Sequence, residues 1–160
     1  MTQKGYRAVC SLKSITAFAA AVVMAGAASA DWKSGYGQGN LEYFSDKQDL
    51  RLYIACPTKE TGTDKTATVS LTRLSTGHDI QKFTVTVNGH SYDGPMESDS
   101  RVGSGNFLLF MEDIRKGDVV LKYALGTVVF PKANAVKAIP PPGRSFPCNT
   151  GYQDALLGKH

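Results

Sequence analysis

Phe83-Thr84-Val85-Thr86-Val87-Asn88-Gly89-His90-Ser91-Tyr92 is the stretch whose reading decides the fold. Side chains alternate along a strand, so Phe83, Val85 and Val87 fall on one face and Thr84 and Thr86 on the other. Branched threonines suit a solvent-facing sheet surface. Asn88-Gly89 is the strongest turn signal in the chain, because both residues tolerate the positive φ of a two-residue hairpin, and His90-Ser91-Tyr92 reads as the returning strand.

The same period of two recurs outward from this hairpin. Leu50, Leu52, Ile54 and Cys56 alternate with Arg51 and Tyr53. Thr66 to Thr72 alternates hydroxyl and apolar residues, and Val119, Leu121, Tyr123 and Leu125 alternate with Val120, Lys122 and Ala124. Leu41 to Phe44 reads as a short first strand, and Gly126 as a bend before Thr127 to Phe130. Phe107-Leu108-Leu109-Phe110-Met111 reads either as a strand buried on both faces or as the start of a short helix through Ile114, and periodicity leaves both open. Asp93 to Asn106, interrupted by Gly94, Pro95, Gly103 and Gly105, reads as an exposed loop. A helical turn or two over Ala133 to Ile139 ends at Pro140-Pro141-Pro142, which lack amide hydrogens. Six to eight short strands joined by Gly/Pro-rich turns predict an all-β domain, a small antiparallel β-sandwich or partly open barrel with one disulfide.

Residues 1–30 read as a cleaved secretory signal peptide. Lys4, Arg7 and Lys13 precede an uncharged run from Ile15 to Ala25, and Ala28-Ser29-Ala30 supplies the small residues of a cleavage site. The expected division is then a flexible arm over 31–40, with Trp32 and Tyr36 packing back, a β domain over 41–148 and a tail over 149–160. The 160-residue chain carries +4, but without the leader 15 basic residues face 14 acidic ones, leaving +1. Nucleic-acid binding, which draws on clustered positive charge, is therefore not expected. Nor is stable membrane insertion after cleavage. Cys56 and Cys148 remain after the leader, widely spaced, and in an oxidising compartment they pair as a structural disulfide; a redox pair normally shows as Cys-X-X-Cys.

The chain is poor in catalytic signatures. His90-Ser91-Tyr92-Asp93 holds the residue types of a triad, but adjacency in sequence does not make its geometry. His78 sits at a turn. Val102-Gly103-Ser104-Gly105-Asn106 resembles a nucleophile elbow without the strand-to-helix context. Asp93, Glu97 and Asp99 are hard oxygen ligands suited to calcium, though their order does not fit an EF-hand, and a hydrated acidic loop is the plainer reading. No cofactor, metal site or catalytic residue is expected.

Recognition is easier to build. Tyr36, Tyr43, Tyr53 and Tyr92 offer flat amphipathic area at low entropic cost, against a plainer role in local packing. The segment 88–106 combines aromatic, acidic and basic groups, which makes Asn88, His90, Tyr92, Asp93, Glu97, Asp99 and Arg101 the candidate partner-binding set.

Leu52-Tyr53-Ile54-Ala55-Cys56, the run from Phe110 to Asp118, Val128-Val129-Phe130-Pro131-Lys132-Ala133 and the closing Cys148 resemble, with the leader, the invasion-associated locus B family of exported bacterial proteins. The resemblance covers about residues 50 to 148 and implies a small envelope β protein with a role in host association; it carries over no catalytic residue. The function expected from the residues is a soluble periplasmic or secreted protein-binding module with a protein partner in the cell envelope, such as an inhibitor or immunity protein against an envelope-acting enzyme. An envelope hydrolase, a small-molecule or calcium-binding module and a host-association accessory protein are the alternatives.

Overall fold

A computed structural model describes residues 30–58, 66–152 and 156. The expected leader lies outside them, apart from Ala30. Among the described residues nine strands form two antiparallel sheets. The five-stranded sheet holds β1 (Lys33–Gly37), β2 (Asn40–Lys47), β3 (Leu50–Pro57), β4 (Thr68–Arg73) and β7 (Met96–Glu97), in the order β1-β2-β3-β4-β7. The four-stranded sheet holds β5 (Phe83–Val87), β6 (His90–Gly94), β8 (Val119–Tyr123) and β9 (Gly126–Phe130), in the order β6-β5-β8-β9. Two helices, α1 (Arg101–Ile114) and α2 (Ala135–Ala138), complete the described elements. No helix among the described residues is long and apolar enough to cross a membrane.

The alternation predicted for the strands is the alternation found. Leu50, Leu52, Ile54 and Cys56 of β3, Val69 and Leu71 of β4, Phe83, Val85 and Val87 of β5, and Val119 and Leu121 of β8 are all buried in one core cluster. The β5–β6 hairpin turns at Asn88 (φ 50°) and Gly89 (φ 82°) and pairs Val87 with His90 and Val85 with Tyr92. Leu125 departs from the pattern. It sits exposed in the turn between β8 and β9, followed by Gly126 at φ 147°. The segment 31–40, expected as an arm, runs largely as β1 against β2; Trp32 is fully buried, its N–H bonded to Ala133 O at 3.0 Å.

The expected all-β sandwich or barrel is corrected by α1, which makes the fold a mixed α/β arrangement of two sheets and a helix pair. Phe107, Phe110, Met111 and Ile114 recur at helical spacing and enter the same core as both sheets, so the open choice at Phe107 to Met111 resolves as helix. The helix also claims Arg101 to Asn106, the half of the expected loop that holds two glycines. Ser100 caps it, its Oγ accepting the Gly103 N–H at 3.0 Å. Glycine costs a helix about 1 kcal/mol per residue, whereas burying a large apolar side chain contributes roughly 1.5 to 3 kcal/mol, so four buried anchors outweigh two glycines. Gly103 is required for a separate reason: a Cβ there would overlap the carbonyl oxygen of Glu97 in β7.

Cys56 and Cys148 are bonded, closing a sequence separation of 92 and tying the tail to β3. Asn149 N–H adds a bond to Pro57 O at 2.7 Å beside it. In the chain-entropy view a loop of this size restricts the unfolded state by roughly 4 to 5 kcal/mol. Replacing both cysteines with serine is expected to lower unfolding free energy by up to about that amount, read from denaturant midpoints. The glycines of α1 should separate in sign. Gly105 has nothing within 4 Å of a built Cβ, so Gly105→Ala stabilises by about 0.5 to 1 kcal/mol, while Gly103→Ala destabilises in the same thermal unfolding assay.

Candidate functional site

The site is assembled where edge strand β6 meets α1. Side chains two apart on a strand share a face, so His90 and Tyr92 both turn toward the helix while Ser91 and Asp93 turn outward, beside Thr86 and Thr84 of β5. Tyr92 packs edge-on to Phe110, ring centroids 5.4 Å apart. Its hydroxyl donates to Asp113 Oδ2 at 2.5 Å, and His90 Nδ1 lies 2.7 Å from the same oxygen. Asn88 Nδ2 reaches Asp113 Oδ1 at 3.3 Å and the Asp113 backbone carbonyl at 3.1 Å. A Cβ at Gly117 would overlap Asn88 Oδ1, so the turn after α1 accommodates this amide only with glycine.

Asp113 therefore collects three side chains of the hairpin onto one carboxylate with 7% side-chain exposure. Burial pushes its carboxyl up, but the bonds from Tyr92, His90 and Asn88, with the charge of His90, outweigh that and hold it below the ordinary aspartate value. Tyr92 moves the other way: burial first, then the bond to Asp113 and its negative charge, raise the phenol well above its usual value. An ionised carboxylate only accepts, so Nδ1 of His90 carries a proton and Nε2 is the nitrogen available to a bound group. The imidazole is 53% exposed.

Beside this cluster is an open groove of about 580 Å³. One wall is the hairpin from Gly89 to Asp93. Met96 and Glu97 of β7 lie at its end, and Gly103, Asn106 and Leu109 of α1, at three-residue spacing, form the other wall. Its lining includes the acidic residues Asp93 and Glu97 and the imidazole of His90.

Of the candidate partner-binding residues, Asn88, His90 and Tyr92 converge on Asp113, and Asp93 and Glu97 join His90 and Tyr92 around the groove. Asp99 lies just before α1 and Arg101 is its first residue; neither lines the groove. Among the described residues no three His, Cys, Asp or Glu side chains assemble as a metal-ligand group. Ser104 is buried, its hydroxyl 2.6 Å from Thr150 O and 3.0 Å from Ser98 O, which makes it a clasp on the tail. His78 is exposed in the turn after β4, its carbonyl accepting the Arg73 N–H. Asp113 itself escaped the sequence reading. Its signal was there: a carboxylate in the last turn of a helix opposes the helix dipole and asks for donors from elsewhere.

Residues 30–139 match the model of the YfjT family. The chain belongs to this family. The match overturns the resemblance to the invasion-associated locus B family, whose quoted motifs are a core strand, a helix end and a strand exit, patterns that many sheet proteins share. The YfjT match runs from β1 through α2 and includes the whole groove and Asp113, while Cys148 lies beyond it. The chain matches none of the curated proteins and none of the solved structures compared with it.

Asp113→Asn keeps the shape of the cluster but faces an amide N–H₂ toward donors. It is expected to cost about 1.5 to 3 kcal/mol, the range for hydrogen bonds to a charged group. Because the folded carboxyl sits below its unfolded value of 3.8, its contribution is fully present above that value and is lost as pH falls through the folded one. Urea unfolding of the two proteins at stepped pH should show a gap that narrows as pH falls and the Asp113 carboxyl is protonated.

Proposed function

We propose that the chain is an exported, non-catalytic protein-binding module whose recognition surface is the groove between β6 and α1. The observation that carries this reading is the fixing of the groove wall: Asp113 immobilises His90 and Tyr92, so the wall is ordered before a partner arrives and little entropy remains to be lost. An aromatic ring, an imidazole, two carboxylates and the amide of Asn106 offer hydrogen bonding around a small apolar contact at Leu109 and Met96. Export is supported by the leader pattern and by the Cys56–Cys148 bond, which persists in an oxidising compartment such as the periplasm or the external medium. An inhibitor or immunity role against an envelope enzyme fits a rigid surface of this kind.

One observation favours an envelope hydrolase as the second reading. His90 and Asp113 stand in the relation of a general base and its orienting acid. Neither nearby serine is placed as its nucleophile: Ser91 faces away and pairs with Thr86 Oγ1 at 3.1 Å, and Ser104 is committed to backbone carbonyls.

Residues 31–160 immobilised as bait in envelope extract should retain a partner that Glu97→Arg and Asn106→Arg lose and that Leu125→Glu, at the remote β8–β9 turn, keeps. Equal capture by all four proteins would remove the groove from recognition. Hydrolysis of wall or peptide substrates abolished by His90→Ala would transfer the site to the second reading.

A further inference from the structure

The hairpin register shows which backbone groups of β6 are unused. A two-residue turn makes Val87 and His90 the hydrogen-bonded closing pair, and pairs alternate thereafter, so His90, Tyr92 and Gly94 direct their N–H and C=O groups to β5. Ser91 and Asp93 direct theirs the other way. Among the described residues β6 has β5 as its sole neighbour in the four-stranded sheet, and both Ser91 and Asp93 line the groove. An added strand sits about 4.8 Å away and repeats every two residues, which is the spacing that Ser91 and Asp93 present. The groove contains no Lys or Arg among its lining residues, and Glu97 stands exposed at its end.

We propose that the groove takes an extended segment of a partner protein bearing a lysine or arginine, bound as a fifth strand beside β6 through the outward backbone groups of Ser91 and Asp93. The proposal rests on the groove being the recognition surface. Backbone pairing supplies the affinity, and the exposed carboxylate of Glu97 selects the basic side chain.

The test uses the full chain and an acetylated, amidated heptapeptide of alternating valine and threonine with one central lysine. Titration followed by amide NMR should shift and protect the Ser91 and Asp93 N–H groups. Methylating the peptide nitrogens of one alternate set should weaken binding about tenfold or more, as expected for losing backbone hydrogen bonds, while methylating the other set changes little. Glutamate in place of the lysine should weaken it as well. On the protein, Ser91→Pro removes an N–H that the sheet does not use and should weaken binding where Ser91→Ala does not; edge strands tolerate proline at such positions. The methylated peptides leave the protein untouched, so they decide the matter even where Ser91→Pro disturbs β6. Absence of peptide binding, or binding indifferent to both methylation patterns, overturns strand addition. Binding indifferent to methylation yet abolished by Glu97→Arg would leave the groove as the recognition surface and remove only the added strand; loss of groove dependence in partner capture would remove the parent reading itself.

Discussion

One carboxylate couples the two halves of the four-stranded sheet's neighbourhood. Asp113 stands in the last turn of α1, where the helix dipole disfavours a negative charge, and it is nearly buried, which disfavours it again. It stays ionised because Tyr92, His90 and Asn88 all donate to it. Each of those donors comes from the β5–β6 hairpin, so the charge fixes the distance and rotation of the hairpin relative to α1. Asn88 also donates to the Asp113 carbonyl at 3.1 Å, beside the Lys116 and Gly117 N–H groups that close the end of the helix on the same oxygen. The groove wall is a by-product of this arrangement: once Tyr92 is drawn inward onto Asp113 and Phe110, alternation sends Ser91 and Asp93 outward.

Local patterns made most strands legible in the sequence, and long-range contacts hid the helix. The β5–β6 hairpin, β3, β4 and β8 each carry their own alternation, and each burial pattern can be read from neighbours two residues away. α1 carries a legible second half, Phe107 to Ile114, and an illegible first half. Gly103 is there because β7 approaches so closely that a side chain would collide with Glu97, a contact between strand and helix that no local pattern announces. Reading that glycine as a loop residue assigned a packing constraint to chain flexibility, and the all-β expectation followed from it. The glycines of β1 suggest freedom in the same way, whereas Glu42 lies over the strand, with a Cβ at Gly37 coming within 2.7 Å of its Oε1.

The candidate site divides along the same line. His90 and Tyr92 were legible as a polar pair on a returning strand, and Asn88 as a turn residue. Their convergence was not, because the group they converge on is more than twenty positions later, on an element whose face was unassigned. Asp99 and Arg101 share only sequence proximity with that set: Ser100 caps α1, Arg101 is the first residue of the helix, and neither lines the groove.

Edges explain why the open strand is β6. In the five-stranded sheet, β7 is two residues long and lies under α1, with Gly103 seated on the Glu97 carbonyl. At the opposite edge, the start of β1 is held by Ala133 and Asn134, through Trp32 N–H to Ala133 O and Asn134 Nδ2 to Trp32 O at 2.7 Å. β9, the far edge of the four-stranded sheet, packs beside β2. β6 has five residues, no proline within it and a carved wall opposite, and an edge of that kind is normally shortened, charged or covered because it invites pairing. Here the nearest charges are Asp93 and Glu97, which repel an acidic strand and a second copy of the same edge while leaving a basic segment welcome. The proposed strand addition rests on this sign, because a charge beside an open edge discriminates between the segments that could pair with it.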